Sequence, residues 1–209
     1  MTTTNPRIYV ACLASYNAGK LHGVWIDANQ DPDDIRTEID TMLRASPCPN
    51  VKVDCPDCDG AGHILDDGEG PGSSVCESCK GIGKVPSAEE YAIHDHEGFD
   101  GIYIGQFTSI KTVALHAHML GKHDGAWTAY VGHVGIDSAT EDNFTNTYHG
   151  KYDSAEDFAE EFAMDTTNLK NMGKLANYID WERYARDMKY NGWSFVDGGI
   201  RCVYVFSPG

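Results

Sequence analysis

The stretch CPDCDGAGHILDDGEGPGSSVCESCKGIG, Cys55 to Gly83, carries one pattern twice: C-x-x-C-x-G-x-G at Cys55–Gly62 and again at Cys76–Gly83. No other feature of the 209-residue chain restricts its folding so strongly. Two short turns with paired thiols, separated by seventeen residues, suit four sulfur ligands around a tetrahedral metal ion. Gly60, Gly62, Gly81 and Gly83 permit a positive φ, which lets each turn curl back over a metal.

The rest of the cysteine usage points the same way. Seven cysteines is an odd number, and four of them fall in the two pairs. The opening MTTTNPRIYV has neither the charged nor the apolar region of a signal peptide, and no run of eighteen apolar residues occurs. The expectation is a cytoplasmic protein, where reduced thiols favour metal over disulfides. One structural zinc ion on Cys55, Cys58, Cys76 and Cys79 is therefore expected. Two redox-active C-x-x-C pairs are the competing reading, but neither pair opens a helix in a βαβ pattern. Cys48 and His63 are alternative ligands that lie outside the repeat.

C-x-x-C-x-G-x-G resembles the cysteine-rich zinc domain of DnaJ-type co-chaperones. That resemblance covers about residues 48–85 and implies one zinc centre from two copies of the motif. No His-Pro-Asp of a J-domain occurs, so chaperone function does not carry over. Between Ser46 and Pro86 stand three basic and seven acidic residues, the wrong balance for a nucleic-acid-binding ribbon. A structural insertion, residues 46–86, fits best, and a zinc-dependent protein-binding adaptor is the alternative function.

The flanking sequence reads as a host for that insertion. RIYVACLASYNAGKLHGVWIDA suggests two strands joined by a turn at SYNAGK. DPDDIRTEIDTMLRAS predicts a helix with Asp31 as N-cap, Pro32 at the first helical position, and Ile35, Ile39, Met42 and Leu43 on one face. EEYAIHDHEGF predicts a strand and loop. Residues 1–45 and 87–108 then form an N-terminal α+β domain, with the cysteine segment looped out of it. Such an insertion costs little closure entropy, about 0.6 kcal/mol per doubling of loop length. A helix is expected over 109–123, while 124–150 gives no clear pattern; together 109–150 form a middle domain. DSAEDFAEEFAMDT and YIDWERYARDMK predict two helices, and GWSFVDGGIRCVYVFS a hairpin turning at Asp197-Gly198-Gly199, in a C-terminal α+β domain over 151–209.

Charge is the second constraint. Asp and Glu number 32 against 16 Lys and Arg, for a net charge of −16. Residues 123–169 hold ten acids and one base, Lys151, so this window carries −9 of that charge. Along the helix at 153–163, Asp153, Glu156, Asp157, Glu160 and Glu161 follow helical spacing, opposite Ala155, Phe158, Ala159, Phe162 and Ala163. Acids in the first turn favour the helix dipole. Glu160 and Glu161 do not, and like charges at i, i+4 cost about 0.2–0.5 kcal/mol each. Dispersed charge would serve solubility equally well. No Ca²⁺ loop pattern is present, and a repetitive stripe does not suggest a catalytic carboxylate pair. A basic protein surface, such as a DNA-binding groove, is a physically reasonable partner.

Three stretches, RIYVACLASYNAGKLHGVWIDA, EEYAIHDHEGF and LANYIDWERYARDM, together resemble the ArdA antirestriction proteins. Without residues 46–86 the chain is 168 residues long, the size of an ordinary member, so the cysteine segment is where it departs from the family pattern. The resemblance implies an elongated α+β protein of three small domains that dimerises through its later part. It implies a mimic of bent B-DNA that occupies the DNA groove of Type I restriction–modification enzymes on their methyltransferase core. It also implies carriage on mobile genetic elements of a bacterial host cell and no catalysis, while the missing apolar span and the acidic charge argue for no membrane and no direct nucleic-acid partner. The charge pattern, rather than a transferred motif, nominates Asp137, Glu141, Asp142, Asp153, Glu156, Asp157, Glu160, Glu161 and Asp165 as phosphate mimics.

His94-x-His96 and His116-x-His118 invite a metal-pair reading, but neighbouring acids serve equally as simple hydrogen-bond partners. No Ser-His-Asp, Cys-His or phosphate-loop pattern is visible. A metallohydrolase using the histidines is the weakest of the alternatives.

Overall fold

The computed structural model describes residues 5–65 and 73–209. It is an α+β protein whose described residues divide into two compact units. The first unit takes the described residues up to Phe99 together with Tyr103–Ala117; the second takes Asp100–Ile102 and His118–Gly209.

In the first unit, β1 (Arg7–Cys12) is the centre of a three-stranded antiparallel sheet between β2 (Gly23–Asp27) and a later strand, Tyr91–Glu97. The β1–β2 connection contains a short helix, α1 (Leu13–Asn17), where the sequence suggested a turn alone. Cys12 caps it, its sulfur accepting the Ser15 amide, and Cys12, Ser15 and Ser46 make a buried polar network that the strand alternation did not reveal. Helix α2 (Pro32–Arg44) follows the expected pattern: the Asp31 side chain accepts the Asp33 amide and Pro32 fills the first turn. Ile35, Ile39, Met42 and Leu43 are buried, and the helix lies against β2 and β1. Burial of each such side chain contributes about 1.5–3 kcal/mol.

The insertion leaves from the end of α2 and consists of two hairpin-like pairs. β3 (Val51–Asp54) pairs with β6 (Lys84–Ser87), and β4 (His63–Leu65) pairs with β5 (Ser73–Val75). Its root is fastened at both ends of β3–β6: the amides of Ser46 and Ala88 both donate to the Leu43 carbonyl, and the Asn50 amide to the Ser87 carbonyl. β7 (Tyr91–Glu97) then returns to β1, completing the β-β-α-β order read from the sequence.

Helix α3 (Ile110–His123) follows. The stretch without a readable pattern contains α4 (Gly125–Val134), α5 (Glu141–Thr147) and β8 (Tyr148–Tyr152). These elements come together in an aromatic cluster of Trp127, Tyr130, Phe144, Tyr148 and Phe206 with ring centroids 4.9–6.0 Å apart. Helix α6 (Ala155–Thr166) begins after the N-cap Ser154, whose hydroxyl accepts the Asp157 amide. A 3₁₀ stretch (Asn168–Tyr178) leads to α7 (Trp181–Tyr190), capped by Asp180. β9 (Ser194–Gly199) and β10 (Cys202–Phe206) close a sheet of order β8-β10-β9. Phe158 and Ala159 of α6 and Ala185 and Met188 of α7 pack with Val205 in one core cluster, flanked by Trp193 and Phe195.

The final hairpin turns later than expected. Ile200 and Arg201 make the connection, while Asp197, Gly198 and Gly199 belong to β9. Gly198 is needed for space rather than for the turn, because a Cβ there would stand 2.4 Å from the Cys202 sulfur and 2.6 Å from the Tyr204 ring.

Candidate functional site: a four-cysteine centre and an acidic helix

The four cysteines of the repeat form the one group of three or more His, Cys, Asp or Glu side chains placed to hold a metal ion among the described residues. Their sulfurs all lie within 4.8 Å of one another, with Cys55–Cys76 at 3.8 Å and Cys58–Cys79 at 3.7 Å. Metal–sulfur bonds of about 2.3 Å in a tetrahedron put the sulfurs about 3.8 Å apart, so the donor set fits such an ion. All four are buried free thiols, backed by Val85. Cys48 and His63 are not in the group.

The sequence repeat becomes a structural one. In each turn the last glycine donates its amide to the second cysteine: Gly62 to Cys58 Sγ at 3.2 Å, and Gly83 to Cys79 Sγ at 3.3 Å. Each first cysteine donates its amide across to the other turn, Cys55 to the Gly83 carbonyl and Cys76 to the Gly62 carbonyl, both at 2.9 Å. This crossing brings the two backbones into direct contact. A Cβ on Gly62 would stand 2.5 Å from the Gly81 carbonyl oxygen, and one on Gly83 would collide with that of Gly60. Both glycines also have positive φ, 79° and 73°. Asp57 and Ser78, at equivalent places in the two turns, are joined by a Ser78-to-Asp57 hydrogen bond.

The thiols differ without an ion. Burial pushes Cys55 up to about 12 and raises Cys58. Burial opposes ionisation of Cys79 too, but the Gly83 amide and the neighbouring Cys76 and Cys58 bring it down to about 7. A bound cation would supply the charge that three or four thiolates in one buried place require.

All nine acids nominated from the sequence lie in the second compact unit, and none is buried. Asp137 sits in the turn after α4, and Glu141 and Asp142 in the first turn of α5, capped by Thr140. Asp153 precedes the Ser154 cap and is therefore outside the helical stripe in which the sequence pattern placed it. It pairs with Arg201. Glu141 pairs with Lys122 at 2.9 Å, and this hydrogen bond and charge hold its carboxyl below the usual range.

The remaining acids share α6. At about 100° per residue, Glu156, Asp157, Glu160, Glu161 and Asp165 cover about half the helix circumference. Phe158, Ala159 and Ala163 are buried on the other half. Glu156 falls at the edge of the acidic arc and is half-buried, while the other four are exposed. The Tyr152 hydroxyl donates to Glu161 at 3.2 Å; burial, then the charges of Glu161 and Asp165, raise that phenol. Among the described residues none of these five acids has an ion-pair partner.

The histidine pairs form no metal group. His116 and His118 lie on a helix, where i, i+2 positions diverge; His116 is buried and His118 exposed. His94 and His96 flank a surface groove that sequence reasoning missed. The clue was local, the H-x-H in a strand, but the aromatic residues that complete the groove, Tyr16 and Tyr103, lie outside that strand.

Among the described residues no helix is long and apolar enough to cross a membrane. The family model described as "Antirestriction protein (ArdA)" matches residues 8–201, across the cysteine insertion. No curated protein matches the chain. With a match over nearly its whole length, this chain belongs to the ArdA antirestriction protein family.

Proposed function

We propose that this protein is a non-enzymatic DNA mimic that occupies the DNA-binding groove of a Type I restriction–modification enzyme, binding its methyltransferase core through an acidic surface. The observation that carries the reading is the acidic arc of α6, which has no ion-pair partner among the described residues. Glu156 to Asp165 spans about 13.5 Å of axis at 1.5 Å per residue, so its five acids average about one charge per 3.4 Å. A single B-DNA strand carries one phosphate per about 3.4 Å, so the helix supplies the line charge of one strand to a groove built for phosphates. Asp137, Glu141, Asp142 and Asp153 add further exposed negative charge in the same compact unit. Neither Glu141 nor Asp153 is lost to this role by its ion pair, because both pairs are exposed and exchange readily with a partner's cations.

The protein acts in the host cytoplasm as a homodimer, in the three-domain arrangement of its family. Zinc is the ion that fits four buried thiolates, and its role is to cross-link the two turns of the insertion.

A competition assay tests the reading. The purified methyltransferase core should be captured by the protein and released by unmodified duplex DNA or by added salt. Replacing Glu156, Asp157, Glu160 and Glu161 together by their amides should weaken capture at least tenfold and flatten its salt dependence. Capture unaltered in affinity and in salt slope would remove the acidic helix from the interface.

A further inference from the structure

We propose that the groove beside His94 and His96 receives an arginine side chain from a protein partner. The cavity holds about 450 Å³ and is lined by Tyr16, His94, Asp95, His96, Tyr103 and Gln106, together with two isoleucines. All of these residues belong to the first compact unit, away from the acidic helix in sequence and in unit.

The groove is built by an irregularity in the sheet. Tyr9 pairs with Asp95 while Val10 pairs with Ile93, so His94 is the extra residue of a β-bulge. Bulges re-aim side chains and concentrate near functional sites. The His94 ring meets Tyr16 of α1 edge-on at 5.0 Å, and the His96 ring meets Tyr103 edge-on at 5.9 Å. The far wall is tied down, because the Ile93 amide donates to the Gln106 carbonyl at 3.0 Å. Tyr16 and Tyr103 nevertheless remain 57% and 75% exposed. Two large, mostly exposed aromatic rings, each against a histidine, thus share the lining with Asp95 and Gln106.

The lining decides the class of occupant. It contains no Lys or Arg, so no fixed positive charge favours a phosphate or another anion there. Its one formal charge is Asp95, of which one carboxylate oxygen accepts the His96 amide at 2.8 Å and the other has no bond among the described residues. No group of three metal ligands is present in it. Aromatic faces beside a carboxylate attract an organic cation. A guanidinium suits them better than an ammonium, being planar, weakly hydrated and able to donate to Asp95 and Gln106 while stacked on a ring.

The proposal deepens the function above, resting on it only for the partner: a surface that grips DNA presents arginines. The groove's chemistry is tested separately. The full-length protein, with ¹⁵N label, is titrated with the peptides acetyl-Gly-Arg-Gly-amide and its lysine and citrulline counterparts. Saturable shifts at His94, His96 and Tyr103 are expected with arginine, weaker ones with lysine and none with uncharged citrulline. Asp95→Asn and Tyr103→Ala should each weaken the arginine peptide about two- to fivefold, a cation–π-sized loss. Both positions are exposed, and thermal melting checks that each variant stays folded. Equal shifts with citrulline, or no shifts at all, would overturn the proposal. If the α6 variant still captures the enzyme fully while the arginine peptide titrates as expected, the DNA-mimic reading falls and the groove stands. If capture fails in the α6 variant but arginine does not bind, the groove falls alone.

Discussion

Glu160 and Glu161 are the residues by which this protein gives up stability, and the size of the sacrifice can be worked out. Replacing both by Gln removes four like-charge pairs on α6: Glu156–Glu160, Asp157–Glu161 and Glu161–Asp165 at i, i+4, and Asp157–Glu160 at i, i+3. At about 0.2–0.5 kcal/mol each, their removal stabilises by about 0.8–2 kcal/mol. Little offsets this gain. Gln matches Glu in helix propensity. After Glu161→Gln the new amide oxygen can still accept the Tyr152 hydroxyl, and neither glutamate has a cationic partner to lose among the described residues. Neither lies in the first turn, where a negative charge helps the helix dipole. Thermal unfolding at low ionic strength should therefore rise by about 2–8 °C for a chain of this size. The gain should shrink in high salt, which screens the repulsion. The same variant should bind the methyltransferase core more weakly. An unchanged or lower Tm at low salt would refute the argument that this face repels itself.

Three further outcomes follow from the cysteine centre and the core. Stripping the metal with a chelator, or replacing Cys55 and Cys76 together by Ser, should raise amide exchange across residues 51–65 and 73–87 while β1, β2 and β7 stay protected. Their pairing uses no cysteine-turn hydrogen bond, so loss of protection in both regions would contradict an insertion mounted on an independent host. Metal binding at pH 7 should release at least two protons per ion, because Cys55, pushed up to about 12, and Cys58, also raised, enter as thiols and must become thiolates. Affinity should accordingly fall as pH falls; calorimetry in two buffers of different ionisation enthalpy counts the protons, and release of none would contradict the assignment. Phe158→Ala should cost about 3–5 kcal/mol, since this side chain is 3% exposed and meets Phe162, Trp193 and Phe195. Denaturant unfolding measures it, and a loss under about 1 kcal/mol would show that the cluster is not the core of its unit.

Local signals were legible where one segment holds its own explanation. Asp31 and Pro32 announced the start of α2, and its four apolar residues are the four that are buried. The paired C-x-x-C-x-G-x-G turns announced the cysteine cluster because each turn's geometry is fixed within eight residues. The α6 stripe was read with its start too early, since Asp153 and Ser154 both resemble caps and only the Ser154–Asp157 bond distinguishes them. α4, α5 and β8 were not legible. Their aromatic residues follow no helical or strand period but meet one another and Phe206, more than fifty residues away.

The sequence alone determined which four cysteines cluster, the sign and concentration of the charge, and the host helix, because spacing, charge and amphipathic period are properties of neighbouring residues. Tertiary structure decided what distant residues do to one another. It interlocked the two cysteine turns through Gly62 and Gly83, and paired Asp153 with Arg201 and Glu141 with Lys122, while the α6 acids have no ion-pair partner among the described residues. It also brought Tyr16 against the bulged His94 and Tyr103 against His96. Contacts across long separations depend on how the whole backbone closes, and no short stretch of the chain carries that information.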